Sequence, residues 1–563
     1  MISASEKRPY LPAWSSTPLF IFILAAATLL AYSNNFAAEF VYDDYLFIID
    51  NPAVQSPSRP ARFFLERESF SSGGYEVIYR PLAALSFAVN YQLSGHNPES
   101  YHAVNILWHM ACGILLFVLM RFTFADAIFA FFVSLLFVLH PVQTEAVSWI
   151  SGRGNPMFLS FLLLTLICYG KWLAESPHKG LYYALALIFS ALSLLSKEMA
   201  VVIPVLMIVY DVSLNPPARR EAWKKLLFGV MPFVGLSLVY ILLRHLILGE
   251  TKQIEYWGGS MSAALLTTSK GFISYIRLMF FPRSLTVEYI VPVADSILDA
   301  RVLISLLVLA AVAAVCIVSY RRAPILCFGI AWFFVSLLPV SNIVPLRAIM
   351  NERFLYLPSI GFCCILASPI RREASIARRG VAYGAMAALL IVSLCYATLT
   401  FDRNKDWRTS FALWTASVAT SPEGSTSQYN LGLELYNRGR YVEAIEHLRM
   451  ACQLQKDFPL AHGVLGNAYI AIGDYNAAIL EYEIGLQQAP EDERLRHNLA
   501  MAWFEKGKAH EERDEVPMAI RSFQNALQYE PDFKDATKAI RNLRSRTERN
   551  RTNEIGRNRQ GTT

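Results

Sequence analysis

The sequence predicts an all-α protein, a polytopic membrane helix bundle of about eleven spans followed by a helical-repeat solenoid. Three observations predict this fold. The 563 residues are 54% hydrophobic and only 17% charged. Apolar runs close to the ~20 residues that a membrane-spanning helix needs recur as far as Thr400. A 34-residue period then appears in the polar part of the chain. The predicted domains are a membrane domain (1–400), an amphipathic connector (401–426), a solenoid of three repeats with a capping helix (427–545) and a disordered tail (546–563).

The membrane domain contains eleven apolar runs that are predicted to span the bilayer, several of them short for that task. The first run has a charged flank but no small-residue cleavage site followed by a soluble domain. It is therefore predicted to be an uncleaved span and not a signal peptide. The eleven runs are residues 17–34, 101–122, 124–139, 157–172, 181–195, 200–212, 226–248, 302–319, 324–338, 354–370 and 381–400.

Lysine and arginine residues in the short loops orient this bundle, because cytoplasmic loops carry an excess of both. Placing Lys7 and Arg8 inside also places inside the other basic loops, which carry Arg121, Lys171, Lys179, Arg219, Arg220, Lys224, Lys225, Arg321, Arg322, Arg371, Arg372, Arg378 and Arg379. The agreement requires that residues 263–281 are not a span. Lys270 and Arg277 lie a heptad apart in this segment, which is predicted to be a helix along the outer membrane surface. An odd number of spans then places everything after Thr400 outside.

Two adjacent carboxylates, Asp43 and Asp44, lie among apolar residues in the first predicted outer loop, EFVYDDYLFIIDNP. Desolvation raises the pKa of such a carboxyl group unless a cation compensates. A raised pKa suits a general base that takes a proton from a hydroxyl group. A single charge at a membrane edge is often only a snorkelling side chain or an ion pair. Here the charges collect on one side of the membrane, which favours a functional site.

The cations on the same predicted side suit a phosphate group, and arginine suits bidentate contacts in particular. A base for a nucleophile and a cationic cradle for a leaving phosphate together describe transfer of a group from a lipid phosphate. Neighbouring aromatic rings offer faces for a sugar, at Tyr42, Tyr45, Tyr75, Tyr79 and Trp149. The candidate phosphate-binding cations are Arg80, Arg153, Lys197, Lys270, Arg277, Arg347 and Arg353.

Composition adds little to this hypothesis. Seven of the eight cysteines lie in or beside apolar runs, with neither metal-binding spacing nor a disulfide framework, and are expected to be buried small hydrophobes. The net charge of +6 does not by itself indicate an acidic partner, because most of the excess can be assigned to membrane topology. We expect no nucleic-acid partner.

The repeats begin at Ser427 and match the pattern of tetratricopeptide (TPR) helix pairs. YNLGLELYNRGRYVEAI (429–445) aligns with GVLGNAYIAIGDYNAAI (463–479), and a third copy begins at His497. About seven residues are inserted into the third copy, close to two helical turns, so its first helix can lengthen without losing its packed face. Residues 534–544 are predicted to cap the solenoid. Such a concave face usually binds protein, but the pattern does not identify a ligand.

Five stretches in the membrane domain resemble the TMTC-type transmembrane and TPR-repeat proteins, within the GT-C class of polyprenyl-phosphate-dependent glycosyltransferases. The stretches are FVYDD (40–44) with Asn51, YRPL (79–82) followed by YHAVNILWH (101–109), LHPVQTEAVSWISGR (139–153), LLSKE (194–198) with VYD (209–211), and ERFLYLPSIGF (352–362). They cover nearly the whole membrane region in the expected order, and TPRs follow. The chain is shorter than eukaryotic TMTC proteins and has fewer repeats, so it resembles a bacterial relative in the inner membrane, with its TPRs on the periplasmic side.

The resemblance implies a GT-C fold, an outward-facing active site and an inverting displacement on a sugar linked to a polyprenyl phosphate. It implies that Asp43 or Asp44 deprotonates the acceptor hydroxyl and that Lys197 and Arg353 neutralise the departing phosphate. His140 and Glu145 would bind the acceptor or a divalent metal ion. Their spacing is not that of a fixed ligand pair, so a helix-capping acid and an interfacial histidine remain alternatives. Tyr79, His102, Arg153, Glu198 and Glu352 are the other predicted pocket residues.

The predicted function is transfer of a sugar, with a mannose-like hexose as a candidate, to a hydroxyl acceptor, and protein O-glycosylation is the expected reaction. The alternative is a non-catalytic membrane scaffold whose TPRs recruit protein partners. A bare anchor would not need Asp43, Asp44 and the one-sided cations. A transporter would need ionisable residues near the middle of its spans. Arg244 and His245, near an outer span end, are weak evidence for it.

Overall fold

The protein, seen in a computed structural model, is helical in the parts that the structure describes, which are residues 17–56, 59–72, 78–174, 176–214, 220–249, 254–371 and 379–560. No β-strand occurs within these ranges, so the all-α prediction is confirmed. Several residues of the sequence predictions lie outside them: Lys7, Arg8, Tyr75, Arg219, Arg372 and Arg378.

Residue contacts divide the chain into two compact units, residues 1–413 and 414–563. The predicted connector, residues 401–426, falls across this division, and its boundaries remain a prediction. The principal helices of the first unit are α1 (Thr17–Ala31), α2 (Pro81–Ser94), α3 (Pro98–Phe124), α4 (Ala127–Leu139), α5 (Gly154–Leu173), α6 (Lys179–Ser196), α7 (Ile203–Leu214), α8 (Arg220–Leu248), α9 (Met261–Phe280), α10 (Ala300–Arg322), α11 (Pro324–Ser336), α12 (Ser359–Ala367) and α13 (Arg379–Arg403).

All eleven predicted spans are helical, but they differ in length. Of the described helices, seven are long and apolar enough to cross a membrane, and α4 with the bent segment Pro141–Val147 would make an eighth. Pro324–Val340 and Ser359–Ile370 are shorter apolar helices, and α7 has 12 residues. The protein is therefore an integral membrane protein, while the count of eleven spans remains a prediction.

Burial separates the core of the bundle from its lipid-facing rim. Helix α4 is buried from Phe129 to Leu139, which places it at the centre of the first unit. Helix α10, by contrast, exposes large apolar side chains such as Leu307 (69%) and Ile317 (76%). An apolar surface of this extent belongs in lipid and not in water.

Helix α9 is the segment that the charge pattern predicted to lie on the membrane surface. It is not among the helices that are long and apolar enough to span. Its Ala264, Thr267, Tyr275 and Met279 are buried, whereas Arg277 is exposed. The helix is thus amphipathic, as the surface position requires.

The second unit is a series of antiparallel helix pairs. Gly439 and Gly473, one 34-residue period apart, adopt φ angles of 74° and 81° between the two helices of their repeats. The third repeat's first helix has 20 residues where the first two have 13, so the predicted seven-residue lengthening is confirmed. The helices are α14 (Ser410–Thr420), which begins in the first unit, then α15 (Ser425–Asn437), α16 (Tyr441–Leu454), α17 (Pro459–Ala471), α18 (Tyr475–Gln488), α19 (Glu493–Glu512), α20 (Val516–Tyr529) and α21 (Lys534–Gln560).

The last helix, α21, differs from the prediction of a disordered tail after residue 545. Ala536, Ile540 and Leu543 pack against Phe523, which is the predicted capping contact. The helix then continues to Gln560, because extending a helix that is already nucleated needs no further apolar face. It carries nine basic and three acidic residues, a net +6 that equals the net charge of the whole chain. The rest of the chain therefore has equal numbers of basic and acidic residues, so the net charge by itself does not report on membrane topology.

Candidate active site

The Asp44 carboxylate is fully buried, and both of its oxygens accept hydrogen bonds from within the fold. Its Oδ2 accepts from the backbone amide of Val41 at 2.9 Å. Its Oδ1 accepts from the amide and the hydroxyl of Ser151 at 2.8 and 2.6 Å. Burial raises the pKa of Asp44 to about 6, although these hydrogen bonds oppose the shift. Asp44 fastens the first outer loop to the segment that follows Trp149, which favours Asp43 over Asp44 as the base.

Asp43 lies on a sharp turn of the same loop. The preceding residue, Tyr42, has a φ of 55°, a left-handed conformation that is uncommon for a bulky residue and often marks a functional site. Asp43 is half-buried. Burial lowers the pKa of Arg353, while the Glu145 carboxylate and, more weakly, the charge of Asp43 raise it. The ring of Tyr42, next to Asp43 in the chain, lies 5.8 Å from that of Trp149, whose ring centre is 5.5 Å from the Arg353 guanidinium carbon. Asp43 is therefore close to a predicted phosphate-binding cation.

Glu145 is the principal partner of that cation. Its Oε1 pairs with Nη1 of Arg353, and its Oε2 accepts from the Arg353 backbone amide at 2.7 Å. The Glu145 side chain is 1% exposed, whereas that of Arg353 is 26% exposed. The guanidinium carbon also lies 5.5 Å from the ring centre of Trp149. Glu145 and Trp149 hold Arg353 in place and leave part of it accessible.

A second ion pair joins Arg80 to Glu198. Arg80 donates from Nε to Oε2 at 2.8 Å and from Nη2 to Oε1 at 2.5 Å, a bidentate pair with the arginine side chain 25% exposed. The pKa of Glu198 falls to about 2, because the Arg80 charge outweighs the effect of burial. Lys197 beside it is 1% exposed and donates to Oδ1 of Asn155. Burial holds the pKa of Lys197 well below its ordinary value.

Arg80, Lys197 and Arg353 form what we call the cationic cluster. The charges of Arg80 and Arg353 both lower the pKa of Lys197, and Arg353 lowers that of Arg80. Such mutual effects need short separations, because charge interactions are screened over about 10 Å in solution. An anion placed among the three groups would favour their charged forms. The cationic cluster thus brings together residues from three distant parts of the sequence, and its member Arg353 lies on the side of the loop that carries Asp43.

Arg153, a predicted pocket cation, is a buried structural residue. Its guanidinium group donates to the Asn105 and Asn90 side chains at 2.7 and 2.9 Å and to the carbonyls of Tyr101 and Ser86 at 3.1 and 3.2 Å. It is 0% exposed. These contacts tie the N-terminus of α5 to α2 and α3. The hydrogen-bond donors of Arg153 are therefore used within the fold.

Two further predicted pocket residues are also used inside the fold. The Tyr79 hydroxyl donates to the carbonyl of Phe64 at 3.1 Å. His102 is buried beside the backbone of Ala38 and Glu39. Both support the first outer loop.

His140 and Glu145 do not fit a divalent-ion site. The His140 Nε2 lies 3.0 Å from the Met279 carbonyl, and its Nδ1 accepts from the Val142 amide at 3.3 Å. Both oxygens of Glu145 are engaged with Arg353. In the described parts of the chain no group of three or more metal-binding side chains gathers. In the structure His140 caps a short helix and Glu145 is the counter-ion of Arg353, while the predicted acceptor role of this pair stays a prediction.

Lys270 and Arg277 are not brought into the cationic cluster by their contacts. The Lys270 Nζ donates to the Pro292 carbonyl at 2.5 Å and lies 4.0 Å from Oδ2 of Asp299. Arg277 is exposed in the last turn of α9. The two cations belong to the predicted surface helix and its following loop.

Glu352 is the centre of a buried polar group that includes residues absent from the sequence predictions. Its Oε1 accepts from the Tyr289 hydroxyl at 2.9 Å and lies 3.5 Å from Nη2 of Arg403. Burial raises the pKa of Glu352 to about 8, although Arg403 opposes the shift. Tyr289 and Arg403 lie 63 and 51 residues from Glu352. No local sequence pattern signals these contacts.

Comparisons with known proteins bear on the predicted family resemblance. The human Protein O-mannosyl-transferase TMTC1 is 26% identical, over 91% of this chain and 63% of its own length. The Drosophila melanogaster Protein O-mannosyl-transferase Tmtc3 is 26% identical, over 82% of this chain and 58% of its own length. The predicted resemblance to the TMTC-type proteins is confirmed. The chain spans about 60% of the length of these two TMTC relatives.

Two further matches concern the separate parts of the chain. The tetratricopeptide repeat family profile matches residues 399–459, which include the first predicted TPR. A solved oligosaccharyltransferase of Archaeoglobus fulgidus, tethered with an acceptor peptide, aligns with 74% of this chain and 59% of its own at 13% identity and a TM-score of 0.41.

Proposed function

We propose that the protein is a membrane glycosyltransferase. It moves a hexose, mannose-like by analogy with the names of the TMTC relatives, from a polyprenyl-phosphate donor to a hydroxyl group of a protein. The observation that carries the proposal is a chain of ring contacts between the turn of Asp43 and Arg353: the Tyr42 ring lies 5.8 Å from that of Trp149, and the Trp149 ring centre lies 5.5 Å from the Arg353 guanidinium carbon. One group of side chains thus offers a base for the acceptor and positive charge for the leaving group.

Asp43 is the base in this reaction. As the acceptor oxygen attacks the anomeric carbon, Asp43 takes the hydroxyl proton and the bond from that carbon to the phosphate oxygen breaks. Attack opposite to the leaving group inverts the configuration. The electron pair of the broken bond stays on the polyprenyl phosphate. The charge of that phosphate grows during the step, so cations near it stabilise the transition state more than the ground state.

The cationic cluster binds the donor phosphate. Arg353 and Arg80 are partly exposed and present guanidinium groups suited to two phosphate oxygens at once. Burial and the charges of Arg80 and Arg353 lower the pKa of Lys197, and an anion bound nearby would raise it and favour the ammonium form. The half-buried Tyr42 ring, 5.8 Å from that of Trp149, offers a face for the sugar.

The two units have different roles in this proposal. The first unit lies in the bacterial inner membrane with its active site on the periplasmic side, and the TPR helix pairs on that side recruit the acceptor protein. In the alternative, a non-catalytic scaffold, the TPR helix pairs recruit a protein partner and the first unit only anchors them in the membrane. The TPR match at residues 399–459 supports protein binding in either case.

A reconstituted assay tests the proposal. The purified protein in proteoliposomes is given radiolabelled polyprenyl-phosphate mannose and an unfolded serine- and threonine-rich acceptor protein. We expect transfer by the wild type and a loss of about 10²- to 10⁴-fold in Asp43→Asn, the usual contribution of a general base. Asp50→Asn, an exposed acid of the same loop, is the matched control and should keep the wild-type rate.

Two outcomes would contradict the proposal. Wild-type transfer that persists in Asp43→Asn removes the base assignment. If no polyprenyl-phosphate sugar is used, and deletion of the gene removes no glycan from the host envelope, the scaffold alternative is favoured.

A further inference from the structure

The segment that follows the last span, Arg403 to Arg408, is built into the candidate active site. Asn404 is 2% exposed, and its Nδ2 donates to the Ala31 carbonyl and the Asn34 Oδ1, each at 2.9 Å. Its Oδ1 accepts from the Ser148 hydroxyl at 2.8 Å. The carbonyl of Arg408 accepts from the amide of Glu39 at 2.9 Å, four residues before Asp43. A segment that only linked a bundle to a solenoid would not need this set of buried contacts.

Trp407 makes the most direct of these contacts. Its ring, 1% exposed, stacks on Trp149 with ring centres 6.2 Å apart and an interplanar angle of 25°. The ring centre of Trp149 also lies 5.5 Å from the Arg353 guanidinium carbon and 5.8 Å from the ring centre of Tyr42. The plane of Trp149, and with it the position of Arg353, therefore depends on the ring of Trp407.

Arg403 makes an independent contact on another part of the site. It is 8% exposed and lies between Glu352, at 3.5 Å, and Asp406, at 2.8 Å. Glu352 directly precedes Arg353 in the chain. The same six-residue segment thus contacts two neighbours of Arg353: Trp149 through a stacked ring and Glu352 through a buried ion pair.

We propose that residues 403–408 are a positioning element of the active site, acting through Trp407 on Trp149 and through Arg403 on Glu352. The proposal rests on the proposed function for its catalytic meaning. The segment touches neither donor nor acceptor. It fixes the ring and the backbone that aim Arg353 at the donor phosphate and that orient the loop of Asp43. The chain continues from this segment towards the TPR helix pairs, so the end of the membrane domain is part of the catalytic apparatus.

The kinetic test compares Trp407→Ala with Trp407→Phe in the reconstituted transferase assay. Loss of the stacked ring should lower kcat by about 10- to 100-fold, the effect of misplacing a reacting group by roughly 1 Å. The donor KM should change less than about twofold, because the interaction lost is one made in the transition state. Trp407→Phe keeps an aromatic face and should restore most of kcat. Trp172→Phe, near the other end of α5 from Arg153, is the matched control and should match the wild type.

A second measurement does not depend on transferase activity. Hydrogen–deuterium exchange on the full-length protein should become faster in residues 39–50 and 145–153 of Trp407→Ala, and remain unchanged there in Trp172→Phe. Unchanged exchange in both segments, or a Trp407→Ala variant with wild-type kcat, overturns the positioning role. If the wild type transfers no sugar but exchange rises in these segments, the proposed function fails while the structural coupling stands.

Discussion

Asp44 accepts two hydrogen bonds from Ser151, a residue 107 positions away in the chain, at 2.8 Å from the amide and 2.6 Å from the hydroxyl. The other oxygen of Asp44 accepts from Val41, so both oxygens are used within the fold. The two neighbouring acids therefore have separate tasks. Asp44 holds the loop, and Asp43 is the acid that the loop presents to the cationic cluster.

The first prediction follows from this division of tasks. Asp44→Asn should lower the free energy of unfolding by about 1–3 kcal/mol, because the amide group would face a buried N–H donor and leave it unsatisfied. Thermal unfolding of the purified protein in detergent, followed by intrinsic fluorescence, measures the loss. Asp50→Asn on the exposed part of the loop should stay within about 0.5 kcal/mol of the wild type. Equal stability of Asp44→Asn and the wild type would show that the buried carboxylate does not anchor the loop.

The second prediction concerns Glu352 and pH. Its pKa in the folded protein is about 8, above the ordinary value of 4.5, so the folded state binds the proton more tightly than the unfolded state. This contribution to stability is fully present below about pH 4.5 and is lost as the pH rises through about 8. The neutral amide of Glu352→Gln resembles the protonated carboxyl group, but it does not titrate. The variant should be about as stable as the wild type near pH 4.5. Its advantage should grow by roughly 1.4 kcal/mol per pH unit between about pH 4.5 and 8 and level off above pH 8.

Thermal unfolding between about pH 5 and pH 9 measures that difference for the wild type and Glu352→Gln. Glu99→Gln, an exposed acid at the start of α3, serves as the control and should keep the wild-type pH dependence. Parallel profiles for the wild type and Glu352→Gln would contradict the raised pKa.

Sequence reasoning predicted the helices and repeats, because apolar length and the 34-residue period are local properties. It also predicted Asp43 and Arg353 from their residue types on one side of the membrane. Residue type alone could not separate Arg353 from Arg153, since both are arginines in loops that are predicted to lie outside. Only the fold shows that Arg153 is surrounded by carbonyl and amide oxygens, whereas Arg353 keeps an exposed edge. Trp407 was missed because its polar neighbours give no sign of a ring stacked on a residue 258 positions earlier.

The third prediction tests the turn within the repeats. Gly439 and Gly473 have positive φ angles of 74° and 81°, and a side chain in this region is strained even though the space around them is open. Each substitution to alanine should cost about 1–2 kcal/mol of stability. Gly180→Ala, which has open space and no positive φ, is the control and should be neutral or slightly stabilising. Chemical unfolding of the full-length protein compares the three variants, and a neutral Gly473→Ala would contradict the turn geometry.

The fourth prediction concerns the pairing of Glu145 with Arg353. Arg353→Gln leaves a carboxylate that is 1% exposed without its partner, which should cost about 3–5 kcal/mol. Glu145→Gln in the same background removes the stranded charge and should recover part of that loss. The double-mutant cycle therefore gives a coupling energy above ~1 kcal/mol. The exposed pair Lys508 and Glu505, 2.9 Å apart, is the control cycle, and its coupling should be too small to resolve. Purely additive effects of the two substitutions would mean that Glu145 does not hold Arg353, and the donor-phosphate role of Arg353 would then lack its structural support.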